Sequence, residues 1–187
     1  GNAGVQEGHA TTTGYMLFKR FNRSISKTSP GVTSQNRPSI IFRLADFYLI
    51  YAEVANEVNP SDSRVLTYLN LVRERAGLPK IEVLNPGIVG NKELQRAAIQ
   101  RERQIELATE GQRYFDVRRW MIADKDGEGR QNGYAHGMNV RGTINDTEEF
   151  NRVVETEKIV FNRKMYLQPI PDHEMRKTQN LVQNPGW

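Results

Sequence analysis

Cysteine is absent from this sequence, which excludes disulfides, thiolate metal sites and a cysteine nucleophile together. Histidine is scarce: His9, His136 and His173 are scattered, and His173-Glu174 lacks the second histidine one turn on that a zinc-binding helix needs. No apolar run approaches the roughly 20 residues of a membrane span, and the longest ones are broken by charges. A dominant charge is lacking too. The 26 Lys and Arg against 22 Asp and Glu leave +4, and the basic residues are interleaved with acids. That pattern argues against a nucleic-acid partner.

The signatures of chemistry are equally thin. There is no Gly-x-Ser-x-Gly elbow, and a triad would need one of three dispersed histidines. A glycosidase needs two facing carboxylates, and sequence alone pairs none of the 22 acids. Gly127-Glu128-Gly129 lacks the glycine and lysine of a phosphate loop. Asp124-Lys125-Asp126-Gly127-Glu128 offers oxygen ligands, but its glycine comes two places early for a calcium loop, so it reads as a solvated turn. No catalytic residue, metal ligand or cofactor is assigned, and the expectation is a protein that is not an enzyme.

What the chain does hold is helix. With 187 residues it suits one domain on a prior of about 150 residues each, and it can bury about 70% of its unfolded surface. Residues 1–39 are rich in Gly, Thr, Ser and Asn around one aromatic stretch, Tyr15 to Phe21, and read as an extended strap. With no initial methionine or signal segment, the opening is expected to be the middle of a longer chain.

From about Ile40 to Glu57, the residues Ile41, Leu44, Ala45, Tyr48, Ala52 and Ala55 recur at helical spacing, beside a second apolar row of Phe47, Tyr51, Val54 and Val58. A helix apolar on two sides packs between neighbours. Pro60 stops it, and Ser61 or Ser63 can cap a second helix carrying Val65, Leu66, Leu69, Val72 and Ala76, which ends at Gly77 and Pro79. After a loop over 78–91, Asn91 caps a third helix with Leu94, Ala97, Ala98, Ile105 and Ala108 on one face and Gly111 at its C′ position. A fourth follows, with Tyr114, Phe115, Val117, Trp120 and Met121 as candidates for burial.

Residues 123–156 are polar and punctuated by glycine, too long for a plain connection. The ending is extended by Pro169 and Pro171, apart from a short turn capped by Asp172. The expected fold is therefore mostly α: tetratricopeptide-like helix pairs with long irregular loops and an extended C-terminal segment. Its parts are a strap at 1–39, two helix pairs at 40–122, and a loop-rich segment with the tail at 123–187.

The third and fourth helices carry the densest chemistry. Arg96, Arg101, Glu102, Arg103, Glu106, Glu110, Arg113, Asp116, Arg118 and Arg119 mingle both signs. Arg103 with Glu106, and Asp116 with Arg119, are spaced to pair along a helix. Arginine's planar fork suits it to ion pairs that fix one helix pair against the next. In the glycine-rich loop, Tyr134 and His136 have no evident core to join. With Asn139 they are the candidate glycan contacts, because a ring offers flat apolar area with a polar tip; packing of the aromatics under the loop is the equal alternative.

The run Arg43-Leu44-Ala45-Asp46 through Ala52-Glu53 resembles a helix of the SusD/RagB family. So do Asn70-Leu71-Val72-Arg73-Glu74-Arg75-Ala76-Gly77, Arg101 to Leu107, and Glu110-Gly111-Gln112-Arg113 through Trp120. Leu167 to Pro171 and the ending Gln183-Asn184-Pro185-Gly186-Trp187 are similar to that family's closing blocks, and all occur in the family's order. The resemblance implies a lipoprotein on the external face of the cell outer membrane, in polysaccharide utilisation and nutrient uptake. Such a protein binds oligosaccharide or polysaccharide and passes it to a SusC-type TonB-dependent transporter. It also implies a missing N-terminal part of the same chain that would bear the lipid anchor. The matching blocks are scaffold rather than ligand contacts. A helical-repeat scaffold that binds a protein partner is the alternative, and a hydrolase a third.

Overall fold

The computed structural model describes residues 19, 39–125, 133–138 and 152–187, with the backbone pairing of the two strands. Two compact units divide the chain, Pro38–Trp120 and the unit that contains Met121–Trp187. No helix among the described residues is long and apolar enough to cross a membrane.

The first unit is built on α1 (Leu44–Val58), α2 (Arg64–Arg75) and α4 (Lys92–Glu106), with α5 (Gln112–Arg119) closing it and a single helical turn, α3 (Ile81–Leu84), in the connection. The core is a small cluster of Leu49 and Ala52 from α1, Val65, Leu69 and Val72 from α2, and Ile99 from α4. Tyr48 and Tyr51 extend it by packing on the Tyr68 ring, at 5.4 and 4.5 Å between centroids. These are the i, i+3, i+4 contacts expected of paired amphipathic helices.

Helix ends follow local chemistry. At the end of α2, Leu78 N–H donates to Arg73 O and Gly77 N–H to Glu74 O, with Gly77 at φ +78°. This is the paired 6→1 and 5→2 closure that favours glycine. Asn91 caps α4, its side-chain oxygen accepting from Leu94 N–H at 3.2 Å. Ahead of α2 neither serine caps; the Asp62 carboxylate accepts from Arg64 N–H at 2.9 Å instead.

Several sequence expectations are corrected here. α1 begins at Leu44, because Arg43 stands extended before it with its guanidinium engaged elsewhere. The 78–91 connection is not plain loop: it holds α3 and a 3-10 turn at Pro86–Ile88. Buried Asn70 anchors it, accepting from Ile81 N–H at 3.0 Å and donating to Glu82 at 2.8 Å. Gly111 (φ +83°) is not the stop of α4 but the residue before α5; α4 ends at Glu106, and Thr109 takes a positive φ in between.

The largest correction concerns α4. Most of its expected apolar face points outward: Leu94, Ala97 and Ala108 are exposed and Ile105 is 59% exposed, with Ala98 alone packing against the core, while the buried side carries Gln95, Ile99, Glu102 and Arg103. In the same way Tyr114, Phe115 and Met121 are exposed, and Val117 alone of the fourth helix's five candidates is fully covered. The second row of α1 is bare as well, with Phe47 at 52%, Val54 at 57% and Val58 at 81% exposure.

In the second unit, the stretch expected to be irregular loop contains an antiparallel ribbon of β1 (Gly133–Met138) and β2 (Arg152–Ile159). Beyond it, a 3-10 turn at Arg163–Tyr166 and α6 (Asp172–Met175) interrupt the extended tail. Asp172 is the first residue of α6 rather than its cap. The tail is held by side chains that imitate a strand. The Gln183 amide accepts from Ile170 N–H at 2.8 Å and donates to Ile170 O at 2.9 Å. Asn184 donates to Gln168 O, and the Trp187 indole N–H is shared by Lys164 O and Leu167 O.

Candidate functional site

The buried polar residues of α4 explain why its inner side is not apolar. Arg103 is 3% exposed, and its guanidinium donates to Asp46 of α1 at 2.9 Å and to both oxygens of Asp116 of α5 at 2.9 and 3.1 Å. It does not pair with Glu106; the expected Asp116–Arg119 pair does form, at 2.9 Å. Arg73 of α2 meets Glu102 of α4 at 2.9 Å, its Nε donating to Pro79 O. Glu106 takes Arg75 and, with Glu110, Arg43. Hydrogen bonding by the Glu110 carboxylate, more than any other influence, raises the Arg43 pKa. Every pair joins different helices or anchors a helix end. The Arg-rich blocks are therefore joints of the scaffold, as their mixed signs suggest.

Where this network reaches the surface, it frames a groove. Glu53 and Glu57 of α1, Arg96 and Gln100 of α4, and Arg119 and Trp120 at the end of α5 line a cavity of about 390 Å³. Each pair of side chains lies one turn apart on its helix, or adjacent in the chain, which is why the three meet there. Glu53 accepts from both terminal nitrogens of Arg119 and from the Trp120 indole N–H, the last at 2.7 Å. Arg96 forks onto Glu57 at 2.6 and 2.7 Å and also holds Glu93. Arg96, with Lys92 at 3.1 Å, draws the Glu57 carboxyl down to a pKa of about 2. The groove thus sets two carboxylates against two guanidinium groups, so its facing charges balance.

Of the residues singled out from sequence, Tyr134 and His136 lie on β1, opposite Lys158 and Val154 of β2, with a register shift between them. Asn139 lies outside the described residues. The groove residues escaped sequence reasoning. Glu53 and Glu57, and Arg96 and Gln100, each show an i, i+4 spacing, but that spacing does not say which helices face each other. Asp124, read as part of a solvated turn, accepts from the Tyr166 hydroxyl at 2.6 Å and donates its own N–H back at 3.1 Å. That bond lowers the Asp124 pKa, while burial and then the carboxylate raise that of Tyr166. Among the described residues, no three His, Asp or Glu side chains gather as metal ligands would.

Relatives give this arrangement its context. The chain is 44% identical over 106 residues to a SusD-like protein of Formosa agariphila, covering 57% of this chain and 19% of that protein. It is 32% identical over 153 residues to a second SusD-like protein of the same species, covering 79% of this chain and 26% of that one. The solved structure of BT4246 superposes with a TM-score of 0.67 at 34% identity, over 84% of this chain and 25% of the other. A SusD-like protein from Bacteroides fragilis, BF3747, gives 0.62 at 31% identity, over 80% and 26%. This chain thus spans about a quarter or less of the length of these relatives. The SusD family model matches residues 1–187 throughout, and with the helical scaffold and its arginine joints in place, the chain belongs to the SusD family.

Proposed function

We propose that this chain is part of a nutrient-capture protein that binds oligosaccharide or polysaccharide without altering it and hands it to a SusC-type TonB-dependent transporter. The protein acts on the external face of the outer membrane. The observation that carries the reading is the family match over the whole chain, together with the use of its motif residues as scaffold. Arg103, Glu106 and Asp116 are spent on each other's helices and are not available to a ligand, which directs the main glycan contact to segments outside the motifs. Tyr134 and His136 on β1, with Asn139 close by in sequence, are the contacts of this reading, since an aromatic and two hydrogen-bonding side chains are what a sugar ring uses.

Affinity gel electrophoresis against a panel of polysaccharides tests it. Retardation by at least one is expected, with recovered sugar unchanged in length and retardation weakened in Tyr134→Ala. A chain that no polysaccharide retards overturns the reading for this portion. A second reading, a scaffold for a protein partner, is favoured by one feature, the bare apolar row of Phe47, Val54 and Val58 on α1. It predicts co-purification with the transporter and no sugar affinity.

A further inference from the structure

We infer that the groove between α1, α4 and α5 is a second ligand site, separate from the ribbon, that takes a small neutral polyhydroxylated molecule such as a single sugar residue. The cavity of about 390 Å³ lies at the small end of ligand-binding pockets, roughly 300–1,000 Å³. Its charge selects the ligand. Glu53 is held by Arg119, and Glu57 by Arg96 and Lys92, so the facing charges of the lining already cancel. An anion would have to displace a carboxylate from its guanidinium, and a cation would have to displace a guanidinium, each breaking charge-assisted bonds of 2.6–2.7 Å.

A neutral hydroxyl does neither. Glu53 Oε2 and Glu57 Oε1 each accept from a single guanidinium nitrogen and have room for a second donor, and ligand hydroxyls both donate and accept. Gln100 supplies the rest. Its side-chain amide makes no hydrogen bond with any described residue, which leaves two donors and an acceptor at the cavity wall. Trp120 closes one side with apolar indole area, its N–H fixed to Glu53 so that the ring is held in place. Ionised groups braced by one another, one uncommitted amide and an oriented aromatic form a preorganised hydroxyl-binding surface.

The chain contains only two tryptophans, so the Trp120 indole N–H is a readily assigned reporter, with Trp187→Phe identifying it. Glucose, galactose, mannose, xylose and glucuronic acid are titrated into the 187-residue protein while indole nitrogen–proton correlations are followed. At least one neutral sugar is expected to shift the Trp120 signal saturably in the millimolar range, with glucuronic acid weaker than glucose. Gln100→Leu is expected to weaken that response by about tenfold, the scale of one lost amide contact pair. Tyr134→Ala is expected to leave it unchanged while weakening polysaccharide retardation, which separates failure of this site from failure of the ribbon. A Trp120 signal that no neutral sugar moves, one that prefers glucuronic acid, or one indifferent to Gln100→Leu overturns the inference. Unfolding midpoints of both variants guard against a merely destabilised fold.

Discussion

Arg103 is the residue on which most of the helical unit converges. It is 3% exposed and satisfied by two aspartates from two other helices. Burial of charge is expensive, so such a cluster contributes less net stability than its distances suggest, but removing one member leaves its partners uncompensated. Arg103→Leu strands Asp46 and Asp116 in the interior and is expected to cost about 3–5 kcal/mol in urea unfolding. Asp116 retains Arg119, so Asp46 bears most of that loss. A change below about 1 kcal/mol would mean that water or another cation takes the arginine's place.

At the scale of the element, the helices and most of their stops were legible, and the direction of their faces was not. Asn91, Pro60 and Gly77 act locally, through a side-chain cap, a missing N–H and a positive φ, and each did what its type implies. Periodicity found the apolar rows but carries no information on which row is inside. For α4 the inner row is polar, since arginine and glutamate there meet partners from Asp46, Arg73 and Asp116, dozens of residues or several turns away. The candidate site was less legible still. Tyr134 and His136 looked like loop residues because Gly133 and Gly137 mask the alternation of β1, and the groove is a product of three helices meeting.

The two-sided row on α1 was expected to need cover on both sides, and one side is bare. Phe47→Glu with Val54→Glu is therefore expected to reduce apolar-dye binding and self-association of the chain, with little change in unfolding free energy. A destabilisation of several kcal/mol would instead place those side chains in a buried contact.

At the scale of the whole molecule, the net charge of +4 hides a dense set of paired charges. Their pH dependence has a definite sign. Glu57 is drawn from 4.5 to about 2 by Arg96 and Lys92, and Asp62 and Asp124 are lowered by Arg64 and by the Tyr166 hydroxyl. Carboxyls with depressed folded pKa values stabilise above their unfolded values, and that contribution is lost as pH falls toward the folded value. The urea midpoint is expected to decline between pH 4.5 and about 2, with a shallower decline in Glu57→Gln. An identical slope in the variant would show that the exposed pair is screened by solvent.

The triad of Asp46, Arg103 and Asp116 also sets how the sequence can drift. Arg103 replaced alone by an apolar residue leaves Asp46 buried without a partner, whereas either aspartate replaced alone leaves Arg103 matched by the other, and all three replaced together by a well-packed apolar set can be neutral or better. Loss of the arginine first is the unstable intermediate, so the effects of the three changes do not add. Positions spread over three helices are thereby constrained in the order in which they can change, an aspartate before the arginine, and freer wandering is left to the exposed faces and loops.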